Sequence, residues 1–161
     1  MRFPRTVRFD VSDTRIYESA AAADEWAVSG AFAFADIDPE TVDSKRRQAF
    51  VHGFLGTASF GWSTFVTVAE ITEAEYEEVV LALAGHAVDC YGAPDIATAL
   101  PAAREEAAFA AGLCDHKVNT LICVERDVGP DGIVERFRVI EPNREPDHAR
   151  IWTIVDDDGS V

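Results

Sequence analysis

The sequence predicts an α+β fold, a mainly antiparallel sheet with two to three helices packed on one face. Strand-like runs cluster at both ends of the chain, and helical patterns lie between them. A capping box at Thr72-Glu73-Ala74-Glu75 marks one helix start, and Gly129-Pro130-Asp131-Gly132 sits between two strand-like runs as a hairpin turn.

Taken in order, Val7 to Val11 and Arg15 to Glu18 alternate in short runs and read as strands, with a turn at Ser12-Asp13. Trp26 to Ala35 reads as a longer strand, with Trp26, Val28, Gly30, Phe32 and Phe34 on one face and small alanines on the other. Asp38-Pro39-Glu40 reads as a helix start, because Asp38 can cap free amides, Pro39 suits the first turn and Glu40 favours the positive helix end. That helix is expected to reach about Leu55, with Gly53 or Gly56 ending it. Trp62 to Ile71 is rich in β-branched and aromatic residues and reads as a strand.

The helix opened by Thr72 runs to Tyr91-Gly92, with Tyr76, Val80, Leu83, Ala87 and Cys90 as its apolar stripe. Asp95 to Ala111 reads as a second helical stretch, broken by Pro101 and ended by Gly112. Val118 to Asp127 and Ile133 to Ile140 form the hairpin, and Arg150 to Val155 a last strand. One domain over residues 1–155 and an acidic flexible tail at 156–161 are expected.

The 161 residues can bury a substantial core without disulfides or a structural metal. The net charge of −15 argues against binding to nucleic acid or an anionic membrane, both of which need a basic surface. No lysine or arginine lies between Arg47 and Arg104, whereas Glu70, Glu73, Glu75, Glu77, Glu78, Asp89 and Asp95 form an acidic belt there. A homo-oligomer or a basic protein partner is therefore expected. Cys90, Cys114 and Cys123 always leave one thiol over, and there is no signal-peptide run, so a reduced, cytoplasmic setting is expected.

The sharpest candidate for chemistry is His86, Cys90, Cys114 and His116. His86 and Cys90 lie one turn apart on a helix, and a folded-back helical pair would bring Cys114 and His116 toward them. Two thiolates and two imidazoles suit tetrahedral zinc, although the spacing fits no standard finger. Against this, Cys90 on the apolar stripe also reads as a small hydrophobe, and no cofactor at all is the leading expectation.

The glycine-punctuated segment from His52 to Ser63 runs from helix to strand, the wrong order for a phosphate loop, and no lysine follows. It reads as a helix C-cap and an aromatic-packed loop. The alternative is a small-molecule pocket walled by Phe54, Phe60 and Trp62, with His52, Thr57, Ser59 and Ser63 as polar handles. The carboxylates of Asp36, Asp38 and Glu40 could hold a divalent cation, but capping already accounts for two of them. Lys45-Arg46-Arg47 reads as a solvated helix face, and Arg136 and Arg138 as an exposed sheet face. No serine sits in a nucleophile-elbow motif, and nothing is a strong catalytic signal.

Lys45 to Gly61, KRRQAFVHGFLGTASFG, with the preceding FAFADIDPET, resembles a family of small uncharacterised acidic bacterial proteins. The resemblance covers about a third of the chain and brings no activity or catalytic residue with it. It implies an accessory protein, connected with gene neighbourhoods of redox-enzyme maturation. The leading expectation is thus a non-enzymatic cytosolic accessory or binding protein that makes protein–protein contacts. A zinc protein or zinc-dependent enzyme and a small-molecule binder at the glycine-rich loop are the alternatives.

Overall fold

The computed structural model describes residues 1–8, 16–142 and 152–156. In chain order these form β1 (Arg2–Val7), β2 (Ala27–Val28), a 3₁₀ turn (Ala31–Phe34), α1 (Ser44–His52), β3 (Phe54–Gly56), β4 (Trp62–Ser63), β5 (Phe65–Glu70), α2 (Glu73–Cys90), α3 (Ile96–Gly112), β6 (Leu121–Gly129), β7 (Gly132–Pro142) and β8 (Trp152–Asp156). The α+β class is observed, with two antiparallel sheets in place of one. The larger has the order β1-β5-β6-β7-β8, and the smaller the order β2-β3-β4.

The small sheet is buried on both faces. Val28 and Leu55 join a core with Val79, Val80, Leu83 and Ala84 of α2 and Ala99, Ala103, Ala107 and Ala110 of α3. Ala27 and Phe54 join a second core with Val66, Val68, Ile122 and Val124 of the large sheet. Phe3 of β1 reaches the helix side, edge-on to Trp26 and Tyr76 at 6.1 and 5.7 Å. No helix among the described residues is long and apolar enough to cross a membrane.

Several boundaries differ from the sequence reading. The first strand begins at Arg2, because Arg2 to Val7 pair residue by residue with Glu70 to Phe65. Val11, Ser12-Asp13, Arg15 and residues 157–161 lie outside the described residues. Tyr17 and Glu18 are not in a strand; Tyr17 is buried and its hydroxyl shares a hydrogen bond with Thr64 at 2.7 Å. The strand expected to run to Ala35 stops at Val28. Gly30 turns the chain with φ +81°, and a Cβ there would lie 2.6 Å from the Leu55 Cβ, so only glycine fits.

Asp38 does not cap a helix; its carboxylate accepts from the Glu40 amide at 3.0 Å and closes a turn. The cap is Asp43, which accepts from the Arg46 amide at 2.9 Å. Gly53 ends the helix as expected, its N–H donating to Ala49, and Leu55 lies in β3. The segment from Trp62 to Ile71 divides between the two sheets at Thr64. Around this break the Ser63 hydroxyl donates to the Phe65 carbonyl at 2.9 Å.

α2 has the full capping box, with Thr72 and Glu75 bonded reciprocally. Pro101 does not break α3, which continues through it to Gly112. Asp95 caps that helix through the Thr98 amide at 2.7 Å, and its buried alanines pack on the core, so tertiary contact overrides the proline. The final hairpin pairs Gly129 with Gly132 as expected, although its first strand starts at Leu121 and not at Val118.

Pro101 is exposed and still removes one helical hydrogen bond. Pro101→Ala is expected to raise stability by about 1–2 kcal/mol, less than the full propensity difference because the unfolded chain also gains freedom. Urea unfolding of the two proteins checks it.

Candidate functional site

Among the described residues Arg126 is the most deeply buried charged group. It lies on β6 with Ile122 and Val124 of the same inward face, and the hairpin register sets Glu135 of β7 directly opposite. Its Nε donates to Glu135 Oε2 at 2.9 Å. Its Nη1 donates to the carbonyls of Phe50 and Gly53 at 2.9 and 2.7 Å. These carbonyls belong to the C-terminal end of α1, where helical partners run out and the backbone dipole is negative. Nη2 donates to the Ser29 carbonyl, and the Ser29 hydroxyl donates to Glu135. One side chain thus ties α1, the residue before the Gly30 bend and the hairpin together. Burial pulls its pKa below the usual value, while Glu135 and Glu106 oppose that shift.

Beside this network an open cleft of about 620 Å3 lies between the 3₁₀ turn, α2, α3 and β7. Its walls are apolar: Phe32 from the turn, Leu83 and Ala87 from α2, and Ala99, Ala103 and Phe109 from α3. The alanines create the space, since larger side chains at these helix positions would fill it. Ser29, Thr98, Glu105, Glu106 and Glu135 contribute its polar groups. Glu106 Oε1 accepts the Gly30 N–H at 3.2 Å. Burial pushes the Glu106 pKa up; the Gly30 bond and Arg126 oppose this, and Glu135 adds to it. Phe32 and Phe109 remain 36% and 45% exposed, so the rim is aromatic and solvent-facing.

None of the residues nominated from the sequence as ligand or metal contacts lines this cleft. His52 places Nδ1 3.2 Å from the Val124 carbonyl. The Thr57 hydroxyl donates to the Trp26 carbonyl at 2.9 Å. Ser59 donates through both its amide and its hydroxyl to the buried Glu25, at 2.9 and 2.8 Å. Trp62 packs on Phe34 with ring centroids 4.8 Å apart. Gly53 caps α1 as expected, but Phe54–Gly56 and Trp62–Ser63 pair as β3 and β4. The rest of the glycine-rich segment is thus a hairpin of the small sheet and not a loop, and its polar handles are engaged within the fold.

The structure does not bring the four nominated zinc ligands together. His86 stacks on Phe60 at 3.8 Å, and burial lowers its pKa. Cys90 is exposed on α2, whereas Cys114 is buried in the second core, where desolvation pushes its thiol up to about 12. His116 receives a hydrogen bond from Arg2 on its backbone carbonyl. Among the described residues no three His, Cys, Asp or Glu side chains are grouped to hold a metal ion. Lys45, Arg46 and Arg47 are exposed on α1, and Arg136 and Arg138 on the sheet, as expected.

Fold and cleft together define an α+β protein with an apolar, carboxylate-ended cleft. The chain belongs to the family of unknown function DUF6505, whose model matches residues 1–156, and the resemblance to an uncharacterised family holds. No curated protein and no solved structure matches the chain.

Removing Arg126 leaves Glu135 without its cationic partner and several carbonyls without a donor. Arg126→Ala is expected to cost about 3–5 kcal/mol in urea unfolding. Arg126→Lys recovers little of it, because an ammonium cannot span the same acceptors. For Glu106 the sign runs the other way from a typical salt-bridged carboxylate. Its folded pKa lies above the ordinary value of 4.5, so its contribution is present below about pH 4.5 and lost as pH rises through the folded value. The stability of Glu106→Gln relative to the parent should therefore rise with pH, as urea midpoints between pH 4 and pH 8 will show.

Proposed function

We propose that the chain is a non-enzymatic binding protein whose ligand is a small apolar molecule held in the cleft between the 3₁₀ turn, α2 and α3. The observation that carries this reading is the cleft itself. Its volume of about 620 Å3 falls within the usual range for ligand sites, its walls are apolar, and three of its polar groups, Ser29, Glu106 and Glu135, are hydrogen-bonded around the Ser29-Gly30 bend. A binding role fits the chemistry better than a catalytic one, because those polar groups are engaged with the fold. The Ser29 hydroxyl donates to Glu135, Glu135 pairs with Arg126, and Glu106 holds the Gly30 amide. The reading moves the ligand site from the glycine-rich segment to this cleft.

A second reading, contact with a protein partner, is favoured by the exposed rim, where Phe32 and Tyr91 meet edge-on at 5.4 Å.

Fluorescence titration with N-phenyl-1-naphthylamine, a neutral apolar probe, tests the first reading. One saturable site per chain is expected. Ala102 lines the cleft but is solvent-exposed, so Ala102→Trp should fill the space and leave the core intact. The variant should melt like the parent and bind the probe about tenfold or more weakly, a loss of roughly 1.4 kcal/mol or more. Unchanged binding would place the probe elsewhere and remove the basis for the reading.

A further inference from the structure

We propose, resting on that reading, that the cleft selects amphipathic cations: an apolar body along α2 and α3, with one ammonium or similar group at Glu106. The argument is one of charge and unfilled hydrogen-bonding capacity. Of the three carboxylates that line the cleft, Glu106 and Glu135 lie beside the buried network, and one guanidinium, Arg126, lies behind them. The hydrogen bonds of Arg126 go to Glu135, Ser29 and the end of α1. Glu106 accepts from the Gly30 amide, whereas an ionised carboxylate can accept about four such bonds.

A neutral apolar ligand would seal that carboxylate away from water without replacing its lost hydration. A carboxylic acid ligand would meet two like charges. An ammonium instead supplies charge-assisted hydrogen bonds where the fold leaves room for them. Glu105 adds a further carboxylate to the lining, and the net charge of −15 draws cations toward the molecule.

The test compares n-octylamine, 1-octanol and octanoate as competitors of N-phenyl-1-naphthylamine at pH 7.5 and physiological salt. The amine should compete at least tenfold more strongly than the alcohol, and octanoate least of all. Glu106→Gln should abolish the preference for the amine and retain competition by the alcohol. A measurement on the parent protein supports the variant. Lowering the pH should weaken the amine as Glu106 takes up its proton, and the alcohol should hold or strengthen as the cost of burying the ionised carboxylate falls. The groups facing Glu106 in this titration are Glu135 of β7 and Arg126 of β6, with Glu105 beside it on α3; α2 presents Leu83 and Ala87 to the cleft.

Equal competition by alcohol and amine, stronger competition by octanoate, or an amine preference that survives Glu106→Gln would overturn the inference while the cleft remained a ligand site. Failure of the probe itself to bind in the cleft would overturn both.

Discussion

The buried guanidinium of Arg126 is the constraint on which the surrounding architecture depends. Removing a charge of this size from water costs several kcal/mol, so it persists only with nearly complete hydrogen bonding. Here the partners come from three places in the sequence: Glu135 on the next strand, Phe50 and Gly53 at the end of α1, and Ser29 before the Gly30 bend. The backbone carbonyls at the end of α1 would otherwise need water or a capping motif. Their position against the sheet excludes the first, and the extended Gly53 does not provide a left-handed cap. The arginine therefore answers the needs of the helix end while the helix end answers the needs of the arginine.

Glu25 does the corresponding work with the opposite sign. It is buried between β1 and the loop after β3, and it accepts from the amides of Ala22, Ala58 and Ser59 and from the Ser59 hydroxyl. A side chain at Gly56 would collide with its carboxylate, which explains a glycine in an otherwise buried strand. Between them the two charges organise the irregular chain on either side of the small sheet, where apolar burial alone gives little directional control.

What was legible in the sequence was local. The capping box at Thr72, the glycine end of α1 and the hairpin at Gly129 to Gly132 each depend on a few adjacent residues. The misplaced start of α1 has the same origin, because Asp38 and Asp43 both offer a carboxylate to an amide ahead, and only the first lies before a proline. Trp26 to Ala35 failed as a strand because its fate is decided at a distance: Arg126 takes the Ser29 carbonyl and Leu55 crowds Gly30. Arg126 itself was within reach. It continues the inward alternation of Ile122 and Val124, and the two-residue turn sets Glu135 opposite it, a pairing that marks a buried ion pair. Glu25, Ser29 and Glu106 give no such signal. The His/Cys cluster had the right chemistry but lacked the geometry, since Cys114 packs into a different core from the one under α2.

The cleft was not legible because it belongs to no single segment. α3 carries buried alanines at Ala99, Ala103, Ala107 and Ala110, which let it approach the small sheet closely. That same scarcity of side-chain volume continues onto the flank facing the 3₁₀ turn, where nothing large fills the gap. The opposite wall stands where it does because Arg126 holds Ser29 and Glu106 holds the amide of Gly30. The carboxylate that faces the open space is thus also an anchor of the wall that encloses it. A group that engages Glu106 acts on that anchor as well, so the shape of the cleft and the ionic state of its carboxylate are set by one set of hydrogen bonds.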